Sequence, residues 1–312
     1  MLPDFLLIGT PCWETVARVP DLPPLDMGPL REALPFIGRS PEVVEAPGGS
    51  AAVTAGHLAR RGRTVMLLGA VGDDEPGRRA AAFLARRGVP LPCPPRPGRA
   101  TKRTAVLVHR ETGRTAFFAD LPRGMAPPPS LQELPAALRS PLGWVHGDYP
   151  SPLLEALLRQ QPFLGASLDL HDPPRRAPSI LRLRRLLPRL TLLQVRRTAL
   201  EELAPGLDDS RPVPGCFEEA ARRLARLGPL VVVTDGDRGS WWFHPGGDAG
   251  FVSPIPLPHL VDPTGAGDAF AAAWIEALSR GAPPGEAGIE AAEAAARACA
   301  HLGPWPVDPG HP

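Results

Sequence analysis

The first apolar run, residues 5–9 (FLLIG), has no polar interruption and closes on glycine, the pattern of a buried strand leading into a loop. Residues 50–61 (SAAVTAGHLARR) space their apolar positions at helical intervals and stop at Gly62. A second run, TVMLLGAV at 64–71, predicts the next strand, and 77–87 predicts a helix ending before Gly88. This strand–helix alternation predicts an α/β domain with a mostly parallel sheet covered by helices. It is interrupted twice. Residues 11–47 are rich in proline and lack a helical period, and 101–119 (TKRTAVLVHRETGRTAFFA) reads as two strands joined by the turn Glu111-Thr112-Gly113-Arg114. Together they predict a small antiparallel sheet outside the main one. It would be a lid built discontinuously from about 11–47 and 99–120 on a single domain, 1–312.

Downstream the rhythm resumes. Short strands are predicted at 144–147 and 165–170, a helix at 217–227 and a buried strand at 230–234 (LVVVT). A hairpin follows at 240–243 and 249–252, then helices at 266–280 and about 286–301. Trp241 and Trp242 are adjacent in a strand, so they point to opposite faces and form no single stacking platform. The basic run RLRRLLPRL at 182–190 reads as a solvated helix face, and no internal repeat is present.

Composition narrows the function classes. A net charge of +1 gives no reason to invoke a nucleic-acid or membrane partner. No stretch reaches the roughly 18 apolar residues of a membrane span, and the N-terminus lacks the basic and apolar regions of a secretion signal. Cys12, Cys93, Cys216 and Cys299 are scattered without a CxxC pair, which argues against zinc and fits a reduced, cytoplasmic setting. The eight histidines show no paired metal-ligand spacing. His171 follows Asp169 near a strand end and reads as a loop histidine that could face a site.

The chemistry concentrates in Val261-Asp262-Pro263-Thr264-Gly265-Ala266-Gly267-Asp268-Ala269-Phe270, where glycines lead into an Ala-rich helix. A helix start presents unpaired N–H groups and the positive end of the dipole, which suits a phosphate. Asp268 on the first turn would face the same point, where a carboxylate can take the proton of an attacking hydroxyl. Alone, such a segment is equally a glycine-rich turn with an acid near a helix start. It is neither a P-loop nor a dinucleotide fingerprint, since GxxxxGK[ST] is absent and the third glycine of GxGxxG is missing.

It does not stand alone. DPTGAGDAF resembles the C-terminal signature of the ribokinase, or PfkB, carbohydrate kinase family. Gly48-Gly49 with SAAVTAGHLARRG and TVMLLGAVGDDEPG resembles that family's N-terminal signature. Thr234-Asp235-Gly236-Asp237-Arg238-Gly239-Ser240 resembles its nucleotide-side loop, and LLIGTPCWETVARVPDLP its first strand and the approach to the lid. The matches occur in order over nearly the whole chain. The resemblance implies a ribokinase-like three-layer α/β/α fold with a small β lid. It also implies an ATP- and Mg2+-dependent kinase that phosphorylates a primary hydroxyl of a sugar or sugar-like molecule. Asp268 would be the general base, with the amides of Gly265, Ala266 and Gly267 as anion hole. Thr234, Gly236 and Gly239 would border the nucleotide, and Glu14, Gly48 and Gly49 the substrate. Asp262 matches a position that in some members supports a monovalent cation; a turn-forming carboxylate is the other reading. Members of the family often pair through their lids, which implies a homodimer.

The chain departs from the family pattern at several positions. Glu14 stands where many members carry aspartate; a solvated glutamate at a strand end is the bland alternative. Val53 stands where GGxxxN expects asparagine and cannot hydrogen-bond a hydroxyl, which puts the acceptor's identity in question. Arg196 and Ala199 occupy the N-x-x-E positions that help organise magnesium. Arg196 could meet phosphate directly, and Glu201 or Glu202 could reach a metal through water. A nucleoside acceptor would need an aromatic slot, for which Trp13 and Phe36 are the lid-side candidates. The altered positions also leave open a binding or regulatory protein that kept the fold and lost efficient catalysis.

Overall fold

The computed structural model describes residues 3–20, 22, 42–134, 143–160, 162–174, 176–207 and 217–305. Phe36 and Cys216 lie outside them. Eight strands form the main sheet: β1 (Phe5–Ile8), β4 (Val65–Leu68), β7 (Trp144–Gly147), β8 (Gly165–Leu170), β9 (Leu192–Arg196), β10 (Leu230–Thr234), β11 (Ser240–Phe243) and β12 (Ala249–Val252). Their order is β12-β11-β10-β9-β8-β7-β1-β4. All neighbours are parallel except the β10–β11–β12 meander.

The parallel strands are apolar on both faces because both are covered. Phe5, Leu7, Val65, Leu67 and Val232 face a core shared with α1 (Ser50–Arg60), α7 (Ala266–Ser279) and α8 (Pro284–Ala298). Leu6, Ile8, Leu68, Val231 and Val233 face the opposite core. That core is built with α3 (Pro152–Gln160), α4 (Ala177–Leu186), α5 (Arg197–Leu207) and α6 (Phe217–Ala225). The result is the three-layer α/β/α arrangement that the sequence implied. Trp241 packs with Phe217 and Phe251, and Trp242 against the other core, so the two do point to opposite faces.

Helix α7 is buried almost all round from Asp268 to Ala277, as its alanines and Trp274 require. Near its C-terminal end Glu276 is 3% exposed and takes ion pairs from Arg61 and Arg63. The run at 182–190 is more than a solvated face. Leu183, Leu186, Leu187 and Leu190 are buried, while Arg182 and Arg185 converge on Glu155.

Four further strands form a second, smaller sheet from the segments expected to build the lid, in the order β3-β2-β5-β6: β2 (Cys12–Val19), β3 (Glu42–Gly48), β5 (Arg103–His109) and β6 (Thr115–Asp120). Helix α2 (Glu75–Arg86) packs beside it, capped by Asp74, whose side chain accepts from the Gly77 N–H at 3.1 Å. The lid sheet is mixed rather than purely antiparallel. β2–β3 and β5–β6 are antiparallel, but β2 and β5 run parallel, Trp13 opposite Arg103. The reason is connectivity: β2 and β5 both enter the lid from the body, and the β3–α1–β4–α2 stretch between them is the long crossover that parallel pairing needs. Among the described residues, no helix is long and apolar enough to cross a membrane, and Cys12, Cys93 and Cys299 are free thiols.

Candidate active site

In a parallel sheet the carboxyl ends of the strands gather the loops, and a crevice opens where neighbouring strands connect in opposite directions. Here β1 lies between β4 and β7. On that edge the chain places Asp148 after β7, Asp169 and His171 at the end of β8, Arg196 at the end of β9 and Thr234 at the end of β10.

The start of α7 meets the same edge. Gly265 caps it at φ +81°, and a Cβ there would lie 2.8 Å from Pro304, so glycine is required both by conformation and by space. No side chain caps the helix. The Ala266 N–H donates to the Pro263 carbonyl at 3.1 Å, which leaves the Gly265 and Gly267 N–H groups without a protein acceptor among the described residues. The Thr264 hydroxyl is buried there without a partner. Unpaired amides and an orphaned hydroxyl are what an incoming phosphate would satisfy. Asp262, fully buried, closes the approach: its two oxygens accept from the N–H groups of Thr264 and Gly303, each at 2.8 Å.

Asp268 sits on the first turn of α7 and is 9% exposed. Its Oδ1 accepts from the Ser50 hydroxyl at 2.5 Å and lies 3.4 Å from His171 Nε2. That nitrogen is also 2.6 Å from Ser50 Oγ and 3.2 Å from Asp169 Oδ2. Asp169 accepts from Gln194 Nε2 at 2.9 Å, and the same amide reaches the Gly267 carbonyl at 3.2 Å. Asp169, His171 and Asp268 offer ligand-capable atoms within 4.8 Å of one another, but at hydrogen-bond spacing, and they form an acid–imidazole cluster. The sequence pattern gave no role to Ser50, Asp169 or Gln194, and of the two readings of His171 the one that faces the site holds. The available signal was a polar residue inside an otherwise apolar strand, as in ASLDL and LLQV, near the carboxyl end.

On the lid side, Glu14 is 5% exposed in the middle of β2, so the solvated strand-end reading does not hold. It is paired on both flanks, by Ala46 and Thr104, and accepts from the Thr104 hydroxyl at 2.9 Å. Burial pushes its carboxyl up to about 7. Gly48 makes room for it, since a Cβ there would lie 2.9 Å from Glu14 Oε2. Gly49 holds φ +96°, and a Cβ would lie 2.5 Å from the Thr10 carbonyl oxygen. Val53 is 2% exposed in the core of α1, so the family's polar position has become packing. Trp13 points to the opposite face from Glu14, against Ala80 and beneath the Arg79 guanidinium at 4.2 Å, and cannot line a slot on the Glu14 face. Phe117, two residues along β6 from the Ala119 that faces Thr104, does share that face and is 58% exposed.

On the nucleotide side, Thr234 ends β10, and Gly236 and Gly239 bend the following turn at φ +59° and +93°. Open space surrounds Gly236. Asp235 is held by Arg197 at 3.2 Å and Arg238 at 2.9 Å, and Glu201 by Arg197 at 3.1 Å. Arg196 is exposed at the strand end, and Ala199 is buried. Neither offers an oxygen, and the nearby carboxylates Asp235 and Glu201 are already paired. The described residues therefore assemble no Mg2+ ligand set of the family's N-x-x-E kind.

The fold matches solved structures over nearly its whole length. A probable sugar kinase from Rhizobium etli CFN 42 superposes with a TM-score of 0.75 at 20% identity, covering 99% of this chain and 96% of that one. The adenosine kinase from Sinorhizobium meliloti gives 0.75 at 22% identity, covering 99% and 97%. The Arabidopsis thaliana ribokinase, solved with ribose and ATP, gives 0.70 at 22%, covering 96% and 93%. No curated protein sequence matches the chain. The family model for pfkB family carbohydrate kinases matches residues 35–306. With that match spanning most of the chain, and with the GAGD helix start and the lid sheet in place, the protein belongs to the pfkB family of carbohydrate kinases, ATP-dependent enzymes acting on small molecules.

Proposed function

We propose that the protein transfers the γ-phosphoryl group of ATP to a primary hydroxyl of a sugar or sugar-like molecule. The observation that carries this reading is Asp268: a carboxylate held by Ser50 through one oxygen, on the first turn of a helix where the Gly265 and Gly267 amides have no protein acceptor among the described residues. Asp268 takes the proton of the acceptor hydroxyl as its oxygen bonds to the γ-phosphorus and the bond to ADP breaks. The amides of Gly265 and Gly267, with Ala266 between them, stabilise the transferring group, and the Thr264 hydroxyl and Arg196 are further donors at this edge. Thr234, Gly236 and Gly239 border the nucleotide. Mg2+ arriving with ATP would supply charge neutralisation on the phosphates. Glu14, Gly48 and Gly49 hold the acceptor under the lid, which excludes water from the reaction. A monovalent cation beside Asp262 would act on the anion hole from behind.

Phe117 favours a second reading, a nucleoside acceptor, because it places an aromatic ring on the Glu14 face of the lid. The outer face carries Phe118, 52% exposed on an edge strand, which supports a homodimer formed through the lids.

ATP consumption against a panel of sugars, sugar phosphates and nucleosides, beside Asp268→Asn, tests the reading. One acceptor should give turnover that the variant loses by about 10³-fold or more. An Asp268→Asn enzyme within tenfold of the parent would sink the base assignment. ATP binding without turnover on any acceptor would instead point to a binding protein.

A further inference from the structure

Three elements meet at one nitrogen. His171 Nε2, just beyond β8, lies 2.6 Å from Ser50 Oγ of α1, 3.2 Å from Asp169 of β8 and 3.4 Å from Asp268 of α7. The Ser50 hydroxyl has a single proton and gives it to Asp268 at 2.5 Å. Its lone pair is then the acceptor facing His171, which fixes the direction of the chain: His171 Nε2–H to Ser50 Oγ, and Ser50 O–H to Asp268 Oδ1. The order requires a proton on Nε2.

The surroundings decide the charge of that imidazole. Asp169 and Asp268 face it from β8 and α7, Asp148 from the loop after β7 and Arg196 from the end of β9. His146 of β7 lies nearby, kept neutral by burial that pushes it down to about 3. Glu14 and Lys102 act from the lid side. Carboxylates outnumber cations, and crowded like charges would tend to return a proton to one of them.

We propose that His171 is a positioning residue for phosphoryl transfer: its imidazolium, linked through the Ser50 hydroxyl, keeps Asp268 ionised and its Oδ1 occupied, leaving Oδ2 for the acceptor's proton. The inference rests on the reading of Asp268 as base. Burial works against the charged ring, but Asp169 and then Asp268 outweigh it and raise His171 to about 9, while burial pushes Asp169 itself up to about 7; the direction at His171 is toward the imidazolium. The position suits the task. A side chain one residue past the end of a parallel strand is held by the sheet, and Asp169, locked by Gln194, fixes the ring from behind.

The test is the pH profile of kcat/KM for the full chain with ATP and the acceptor that the panel identifies, for the parent, His171→Asn and Ser50→Ala. Losing an opposite charge at this distance should move the acid limb up by about one unit. Below the parent's acid limb activity then falls roughly tenfold, while the profiles converge above the raised limb, where Asp268 is ionised with or without the imidazolium. Ser50→Ala breaks the same link without touching the imidazole and should shift the limb in the same sense, so the test survives if His171→Asn does not fold. A loss uniform across pH, or an unmoved acid limb, would overturn the proposal. Stoichiometric zinc binding to the nucleotide-free protein, abolished in His171→Asn, would overturn it as well, in favour of metal ligation. If Asp268→Asn is dead while the His171→Asn profile is unmoved, only this inference fails. If Asp268→Asn is active, the kinase reading fails first.

Discussion

Trp305→Ala removes a side chain that fastens the lid's hinge to the body. The indole is 6% exposed and lies over Gly56 of α1, where a Cβ would come within 2.2 Å of the ring. It meets Phe83 of α2 edge-on with centroids 5.0 Å apart, and its Nε1 donates to the Pro47 carbonyl at 2.5 Å. Pro47 immediately precedes Gly48-Gly49, so the indole ties the last turn of chain before the acceptor site to two helices. Truncating a buried tryptophan to alanine costs about 3–5 kcal/mol. Part of that cost, about 1–3 kcal/mol, is the Pro47 carbonyl left without its donor. Trp305→Phe keeps most of the ring and loses only the donor, so it should cost the smaller amount. Urea unfolding at fixed pH measures both. The acceptor KM should rise in both variants while the KM for ATP stays near the parent's, because the fastened segment lies on the acceptor side. An alanine variant within about 0.5 kcal/mol of the parent, inside the range of ordinary surface substitutions, would refute the reasoning. So would a phenylalanine variant as damaged as the alanine one.

Glu14 is raised by burial to about 7, so its neutral form is the one the fold favours. The stability it contributes is fully present below its unfolded value and is lost as pH rises through about 7. In the ligand-free protein Glu14→Gln should remove about 3 kcal/mol of the decline between pH 4 and pH 8, read from unfolding midpoints; an unchanged slope would contradict this. Gly49→Ala forces a side chain into a positive φ and onto the Thr10 carbonyl, and should cost about 3 kcal/mol with an acceptor KM raised in step, by urea unfolding and initial rates. Phe118→Ser should convert a lid-paired dimer to monomer in light scattering without altering the fold by circular dichroism; a parent that is already monomeric removes the pairing proposal.

What could be read from sequence was whatever is local. The GAGD start of α7 is contiguous, and its glycines and Asp268 act through backbone geometry that the chain writes in one place. The strand–helix rhythm gave the layers because parallel strands covered on both faces must be apolar throughout. What stayed hidden depends on contacts between distant segments. Ser50 and Asp268 are 218 residues apart, and nothing near Ser50 announces a partner. The solvated alternative for Glu14 stayed open because its burial comes from pairing with β3 and β5, the latter through Thr104, 90 residues away. Trp13 stood as a candidate for an aromatic slot because alternation fixes relative faces, not which one turns inward. The β5–β6 turn signalled its own antiparallel pair, but no local feature states that β2 and β5 lie parallel.

That parallel pairing has a mechanical consequence. Gly48 pairs with Cys12, Trp13 with Arg103 and Arg103 with Asp120, so every strand of the lid begins or ends on one line next to the body. A panel hung along a single line swings as one piece, without separate flaps that could open in turn. Under the proposed lid role, sealing the acceptor in and shutting water out would be the same event, governed by one rate.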